Sequence, residues 1–327
     1  MKKVLSCLLL LMLPILACGQ VTPAPSPPKD RLSSIPTTTI KQTPANDFWL
    51  PVAGAGWSQP EPVPGPINTA GGEDSPFITQ DGKDFYFFFT PDVNIPAEKQ
   101  LTDGVTGIWV SHRRGETWSE PERVLLSNPN KLALDGCPFV LGNLMYFCTT
   151  REGYTGIKWF TAEFNKDGAW PDWQEAGKEL KQSEYEVGEL HISADGQEMY
   201  FGSSRAGGYG GLDLWVSHKT VDSWGEPLNL GPSVNTAADE SRPFLSTDGQ
   251  ELWFTGQSTN GRPGPAIFRS LRQTDGAWGA AEEIISTFAG EPTLSPDGGT
   301  LYFVHHYFSQ DVSKMLEADI YVSYKTP

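Results

Sequence analysis

WSQPEPVPGPINTAGGEDSPF (Trp57 to Phe77) and WGEPLNLGPSVNTAADESRPF (Trp224 to Phe244) are one sentence written twice. Each runs Trp, Pro, Gly-Pro, Asn-Thr-Ala, an acidic residue and Pro-Phe. Self-similarity at a period of roughly 50–60 residues marks stacked supersecondary units rather than one globular core. Looser copies of the same markers fill the rest of the chain. Trp57, Trp118, Trp173, Trp224 and Trp278 each open a short W-x-x-P-like strand, Trp173 in a degenerate context. An Asp-Gly turn precedes an aromatic strand at Asp81-Gly82, Asp195-Gly196, Asp248-Gly249 and Asp297-Gly298, and Gly142-Asn143 is a shortened copy. Such dipeptides between apolar runs are hairpin signals, because they accept the positive φ of tight turns.

A third strand follows in each unit, at residues 108–111, 159–161, 214–217, 267–270 and 320–323. The order is strand a, Asp-Gly turn, strand b, loop, strand c, turn and Trp strand d. Four antiparallel strands per repeat make a propeller blade, so an all-β, five-bladed β-propeller is expected over residues 46–327. The folded part begins on a Trp strand and ends on a third strand. The strand of Trp57 is therefore expected to complete the last blade and remove an open edge.

The wording from Ser193 to Ser217 (SADGQEMYFGSSRAGGYGGLDLWVS) resembles the WD-like β-propeller repeat of TolB-type periplasmic proteins; Ser295 to Ser323 is a looser copy. The resemblance covers most of residues 57–323. It implies a propeller serving as a binding platform, an assembly partner or, in some members, an enzyme. The motif's Arg is present as Arg151 and Arg205 but is replaced by Pro91, Ser258 and Tyr307 elsewhere. Its Asp stands only at Asp213 and Asp319. Ser111 to Trp118 (SHRRGETW) is similar to the Asp-box turn of sialidase propellers, with Arg113 where the Asp would stand.

Lys2 and Lys3 followed by the apolar run Val4 to Leu16 read as an export signal over residues 1–17. Ala17-Cys18 resembles a bacterial lipobox, which implies lipidation at Cys18 and an extracytoplasmic protein held to the cell envelope by its lipid alone. Residues 18–45 are rich in Pro, Ser and Thr and read as an extended tether. A net charge of −16 supplies no basic stripe for a nucleic acid backbone. A monomer is expected.

Strand polarity places the d-to-a and b-to-c loops at one end, around the mouth of a central channel. The d-to-a loops carry Glu73 with Asp74, Asp135, Glu189, Glu240 and Glu291; these carboxylates are the catalytic candidates. The b-to-c side carries Arg151, Arg205, His305, His306 and Tyr307, with His191 and Arg242 on or just before strand a. These are the ligand-binding candidates. His191, Arg242 and His305 to Tyr307 interrupt the repeat: His191 stands where other copies have Phe77, Phe139 and Phe244. Acids recurring in every unit also fit a structural device that accepts backbone N–H groups. Two carboxylates about 5–10 Å apart would suit glycoside hydrolysis, and several oxygens would suit Ca²⁺. No zinc motif or other cofactor signature occurs. The function expected is a binding or scaffolding module for a glycan or protein, with a carbohydrate-active enzyme as the alternative. Cys137 and Cys148 flank the Gly142-Asn143 turn. A cross-strand disulfide or two reduced thiols fit them equally.

Overall fold

A computed structural model describes residues 30–126, 132–154, 156–165, 169–171, 173–176, 187–221 and 223–327. The expected signal segment and Cys18 lie outside the described residues. The chain enters through a single helical turn, α1 (Arg31–Ser34), whose first N–H groups are capped by Asp30. Two short strands follow, β1 (Val52–Ala53) and β2 (Glu61–Pro62).

The rest is a series of antiparallel meanders. The first contains β3 (Gly72–Ile78), β4 (Asp84–Thr90), a short helix α2 (Ala97–Asp103), β5 (Gly107–Arg114), β6 (Thr117–Trp118) and β7 (Glu122–Arg123). The second is β8 (Ala133–Leu141), β9 (Leu144–Arg151), β10 (Lys158–Glu163) and β11 (Gln174–Glu175). The third is β12 (Val187–Ile192), β13 (Glu198–Ser203), β14 (Asp213–His218) and β15 (Leu228–Asn229). Then come β16 (Ser241–Leu245), β17 (Glu251–Gln257), β18 (Pro265–Leu271) and β19 (Glu282–Ser286). The last strands are β20 (Ala289–Leu294), β21 (Thr300–Phe308) and β22 (Met315–Tyr324).

The turns are where the Asp-Gly pairs put them. Gly82, Gly142, Gly196, Gly249 and Gly298 all take positive φ, from 62° to 72°. The second strands are covered on both faces, which is why they read as unbroken aromatic runs instead of alternating ones. Phe85, Phe87, Phe147, Phe201, Phe254 and Phe303 are fully or almost fully buried between neighbouring sheets. Each contributes about 2–3 kcal/mol through burial. The first strands lie side by side: β3 against β8, β8 against β12, β12 against β16, β16 against β20, and β20 against β3.

The N-terminal strands complete sheets made by the C-terminal part. In the first, third and fourth meanders a Trp bridges back to the end of the third strand, Trp118 to Arg113, Trp224 to Lys219 and Trp278 to Arg272, with the cation over the indole. The third strand's Ser donates to a backbone carbonyl across the same turn: Ser111 to Ser119, Ser217 to Gly225 and Ser270 to Gly279. Trp57 bridges Lys325 and Ser323 Oγ donates to the Ser58 carbonyl at 2.7 Å. A connection made elsewhere by a local turn is thus made here across the whole chain. β2 then pairs with β22 as the strand order requires. β1, which the repeat does not announce, adds a fifth strand beside β19.

This seam should be testable by truncation. A chain lacking residues 1–62 leaves the outer edge of β22 unpaired and is expected to elute as aggregate in size-exclusion chromatography. Ser323→Ala removes one bond and should cost only about 1 kcal/mol in denaturant melts. A truncated chain that stays monomeric with an unchanged melt would refute the role of the seam.

Candidate functional site

Every first strand carries a β-bulge at its head, between Asp74 and Phe77, Gly136 and Phe139, Val187 and Leu190, Ser241 and Phe244, and Gly290 and Thr293. Ser75, Cys137, Arg242 and Glu291 sit in these bulges with φ of 50–58°. Bulges re-aim side chains, and here they sort the expected acids into two groups. Glu73, Asp135 and Glu240 stand two residues before the bulged position. Glu189 and Glu291 align with Ser75, Cys137 and Arg242, one step further toward the axis. The five carboxylates are not equivalent, contrary to the reading that one acid recurs at one place in each unit. A two-residue offset is invisible when motifs are aligned by acidic character alone.

The outer group is built into the fold. Asn68 brackets Ile320 of β22, donating to its carbonyl and accepting from its N–H, and Asn235 does the same for Leu214 of β14. The next residue of the motif, Thr69 or Thr236, donates backbone N–H and side-chain hydroxyl to the carboxylate four positions on, Glu73 or Glu240. The repeated Asn-Thr-Ala-acid wording is therefore a structural clasp. Asp135 is instead paired with Arg151 at 2.8 Å, both side chains 2% exposed, and Arg151 lies over the rings of Phe147, Phe160 and Trp173.

The first meander lacks an Arg of its own because Pro91 stands at that place. Arg31 supplies it from the N-terminal segment. Its guanidinium lies 5.2–5.9 Å from the ring centroids of Phe87, Phe89 and Trp109. It donates to the Ile67 and Pro66 carbonyls and pairs with Glu73 at 3.3 Å. In the last meander Tyr307 replaces the Arg, and Lys41 fills the vacancy. Its ammonium contacts both oxygens of Asp319 and also Glu317. From Asp30 onward the stretch expected to be a free tether is thus laid on the sheets, held by charges the repeat requires. The signal for this was available: the motif lacks its cation at Pro91, Ser258 and Tyr307, and the Pro-rich stretch holds basic residues at Lys29, Arg31 and Lys41, of which Arg31 and Lys41 fill the first and last of these places.

At the axis Arg242 holds the inner group together. Its Nε lies 3.0 Å from Glu189 and 2.6 Å from Glu291. The other Glu291 oxygen accepts the Ser75 N–H at 2.7 Å, and the same N–H reaches Asp74 at 2.8 Å. His306 approaches Asp74 at 4.0 Å. Burial raises Glu291 well above the usual carboxylate range despite Arg242. Asp74 is held low against its burial by the neighbouring His306 and Glu291.

His191 faces the axis from β12, where its ring packs 4.8 Å from Phe139 and 4.6 Å from Phe244. Burial pushes its pKa down to about 3, so it is a neutral plug at ordinary pH. With Phe77 and Phe244 it lines both the cavity above and a smaller one below. The upper cavity is ≈ 50 Å³, room for a few waters and much less than a sugar ring.

His305, Tyr307 and Arg205 turn away from the axis. His305 and His306 face opposite sides of β21, as strand alternation requires. His305 is fully buried against Asp47 at 2.9 Å. Tyr307 bonds Asp319 and Tyr321. Arg205 lies over Phe201 and Trp215 and donates to Ser203. Cys137 and Cys148 are joined as a disulfide with Cα atoms 5.4 Å apart. Among the described residues, no group of three or more His, Cys, Asp or Glu is placed to hold a metal ion.

No family model and no curated protein matches this chain. Among solved structures it is similar to TolB from Acinetobacter baumannii, with 14% identity and a TM-score of 0.43 over 80% of this chain and 56% of that one. Putative TolB from Agrobacterium tumefaciens gives 16% and 0.45 over 79% and 92%. An α-L-arabinofuranosidase from Podospora anserina gives 12% and 0.46 over 81% and 95%. The chain spans little more than half the length of the first. Likeness at this level concerns the course of the backbone and carries nothing about activity.

The Arg31–Glu73 pair makes a sharp prediction. Glu73 is raised to about 7 from an ordinary 4.5, by burial first, with Arg31 pulling the other way. A carboxyl whose native pKa is raised contributes most stability below its unfolded pKa and loses it as pH rises through 7. Arg31→Met strands the charge, and the expected loss is roughly 3–5 kcal/mol at pH 8 but clearly less at pH 5, where Glu73 is protonated. Glu73→Gln should flatten the wild-type fall in melting temperature between pH 5 and 8. Equal losses for Arg31→Met at both pH values would contradict the assignment.

Proposed function

We propose that the meanders form a closed five-bladed β-propeller, exported and anchored through a lipid on Cys18, that binds a protein partner on the face around the channel mouth and does no chemistry there. Closure is supported by the circle of first strands and by the seam at Trp57, Ser58 and β2. Among the described residues no helix is long and apolar enough to cross a membrane.

The observation that carries the non-catalytic reading is the neutralisation of the axis. Arg242 binds Glu189 and Glu291, and Asp74 shares the Ser75 N–H with Glu291, over a cavity of ≈ 50 Å³. A glycan ring does not fit, whereas a protein surface needs only the rim. Glu189 and Asp74 keep about a fifth of their side chains exposed, enough to register a partner's polar side chains.

A carbohydrate-active enzyme is the second reading, favoured by one observation. Asp74 and Glu291 have their proton affinities pushed apart, as in acid/base pairs. Both carboxylates converge on the one Ser75 N–H, which leaves no room between them for the sugar that glycoside hydrolysis places there.

Two measurements separate these readings. A photo-crosslinking residue at His306 or Glu189, in the cell of origin, is expected to trap one discrete protein partner. The purified chain is expected to show no turnover on aryl glycosides or polysaccharides. Hydrolysis abolished by Glu189→Gln or Glu291→Gln would overturn the proposal.

A further inference from the structure

A larger cavity lies elsewhere among the described residues. At the end of the sheets that carries the Asp-Gly turns, a groove of ≈ 690 Å³ runs between the first and second meanders, lined by β4, β5, β7, the end of β8, Phe164, Ala169 and Trp170. Its volume falls in the range of small-molecule sites, about 300–1,000 Å³. We propose that this groove binds a neutral saccharide of one or two rings. It stands apart from the mouth, so its failure leaves the mouth reading untouched.

The chemistry of the lining selects the ligand. Trp170 and Phe164 pack at 4.9 Å between centroids on one side, and Phe164 is 46% exposed. They offer an apolar surface for the C–H face of a sugar ring. Across the groove Asp84 holds His112 Nδ1 at 2.7 Å, which fixes the imidazole with its other nitrogen available. Among the described residues Gln80, Tyr86 and Glu122 have no side-chain hydrogen-bond partner, and Tyr86 is 6% exposed. What remains open of the Tyr86 side chain includes its hydroxyl, which faces the groove where water or a ligand satisfies it.

These groups offer acceptors at Asp84 and Glu122 and either role at Tyr86, Gln80 and His112. That mixture suits hydroxyl groups, which donate and accept at once. An anion is disfavoured. The nearby cation Arg123 is occupied by the Ile108, Val124 and Thr106 carbonyls, and Lys83 is bonded to Asp81. A small ammonium ion would leave most of the volume unfilled.

The test is titration of the purified full chain with cellobiose, xylobiose and maltose, read by tryptophan fluorescence and calorimetry, with choline chloride as the cationic control. At least one disaccharide is expected to saturate a single site. Tyr86→Phe combined with Glu122→Gln should weaken it by about tenfold or more, and Tyr209→Ala, on a distant loop, should leave it unchanged. If the double variant does not fold by circular dichroism, Leu125→Arg at the exposed rim should block the groove and abolish saturation. Absence of saturation with all three sugars up to about 50 mM would overturn the proposal, since weaker affinities lie below specific binding. So would binding indifferent to the groove variants, or saturation by choline alone.

Discussion

A carboxylate buried at the head of an inner strand must be answered by a donor or a cation, and much of the molecule is arranged around that demand. Leaving such a group charged and unpaired would cost several kcal/mol. The sheets meet the demand in different ways. Glu240 is answered by the backbone and hydroxyl of Thr236, and Asp135 by Arg151 from the neighbouring strand. Glu73 has its Thr clasp and still lies deep enough to draw Arg31 from a segment outside the repeat. Glu317 and Asp319 draw Lys41 in the same way. Charges lost from the repeat are replaced from the N-terminus, and the N-terminal path over the sheets follows from where they are missing.

The axis obeys the same rule with the signs reversed in emphasis. One guanidinium, Arg242, serves acids from the third and last meanders while its own strand belongs to a third sheet. Such a group ties the strand heads together and uses the charge that made the mouth look reactive. Below it, His191 and the phenylalanines around it pack neutral rings between the strand heads. The centre is better described as a rivet than as a vessel, and the open volume lies between two sheets at the other end.

Much of the fold was legible because its signals are local. Asp-Gly turns, aromatic second strands and the recurring Trp each specify a hairpin within a few residues. The two-strand character of the N-terminus was half legible: the phase of the repeat announces β2, but β1 has no repeat partner to be compared with. The site was harder to read because its register depends on bulges. Glu73 and Glu291 look alike in sequence, yet a two-residue offset sends one into a clasp and the other to the axis. Arg31 and Lys41 lie in a Pro- and Thr-rich stretch whose composition says linker, and composition is blind to a pair formed over 42 or 278 residues. The groove left no motif at all, since its lining comes from two sheets and three loops.

The pairing of β2 with β22, and of Ser323 with Ser58, also sets an order of events. An early strand of the chain is the one needed by the last of the described strands. Until β22 has been made, this leading portion has no partner and must wait unpaired. The run of Pro60, Pro62, Pro64 and Pro66 beside this strand suits that wait, because a proline-rich strand offers few N–H groups to a passing edge. A sequence that would be a poor strand in the middle of a sheet is a safe one to leave exposed until its partner exists.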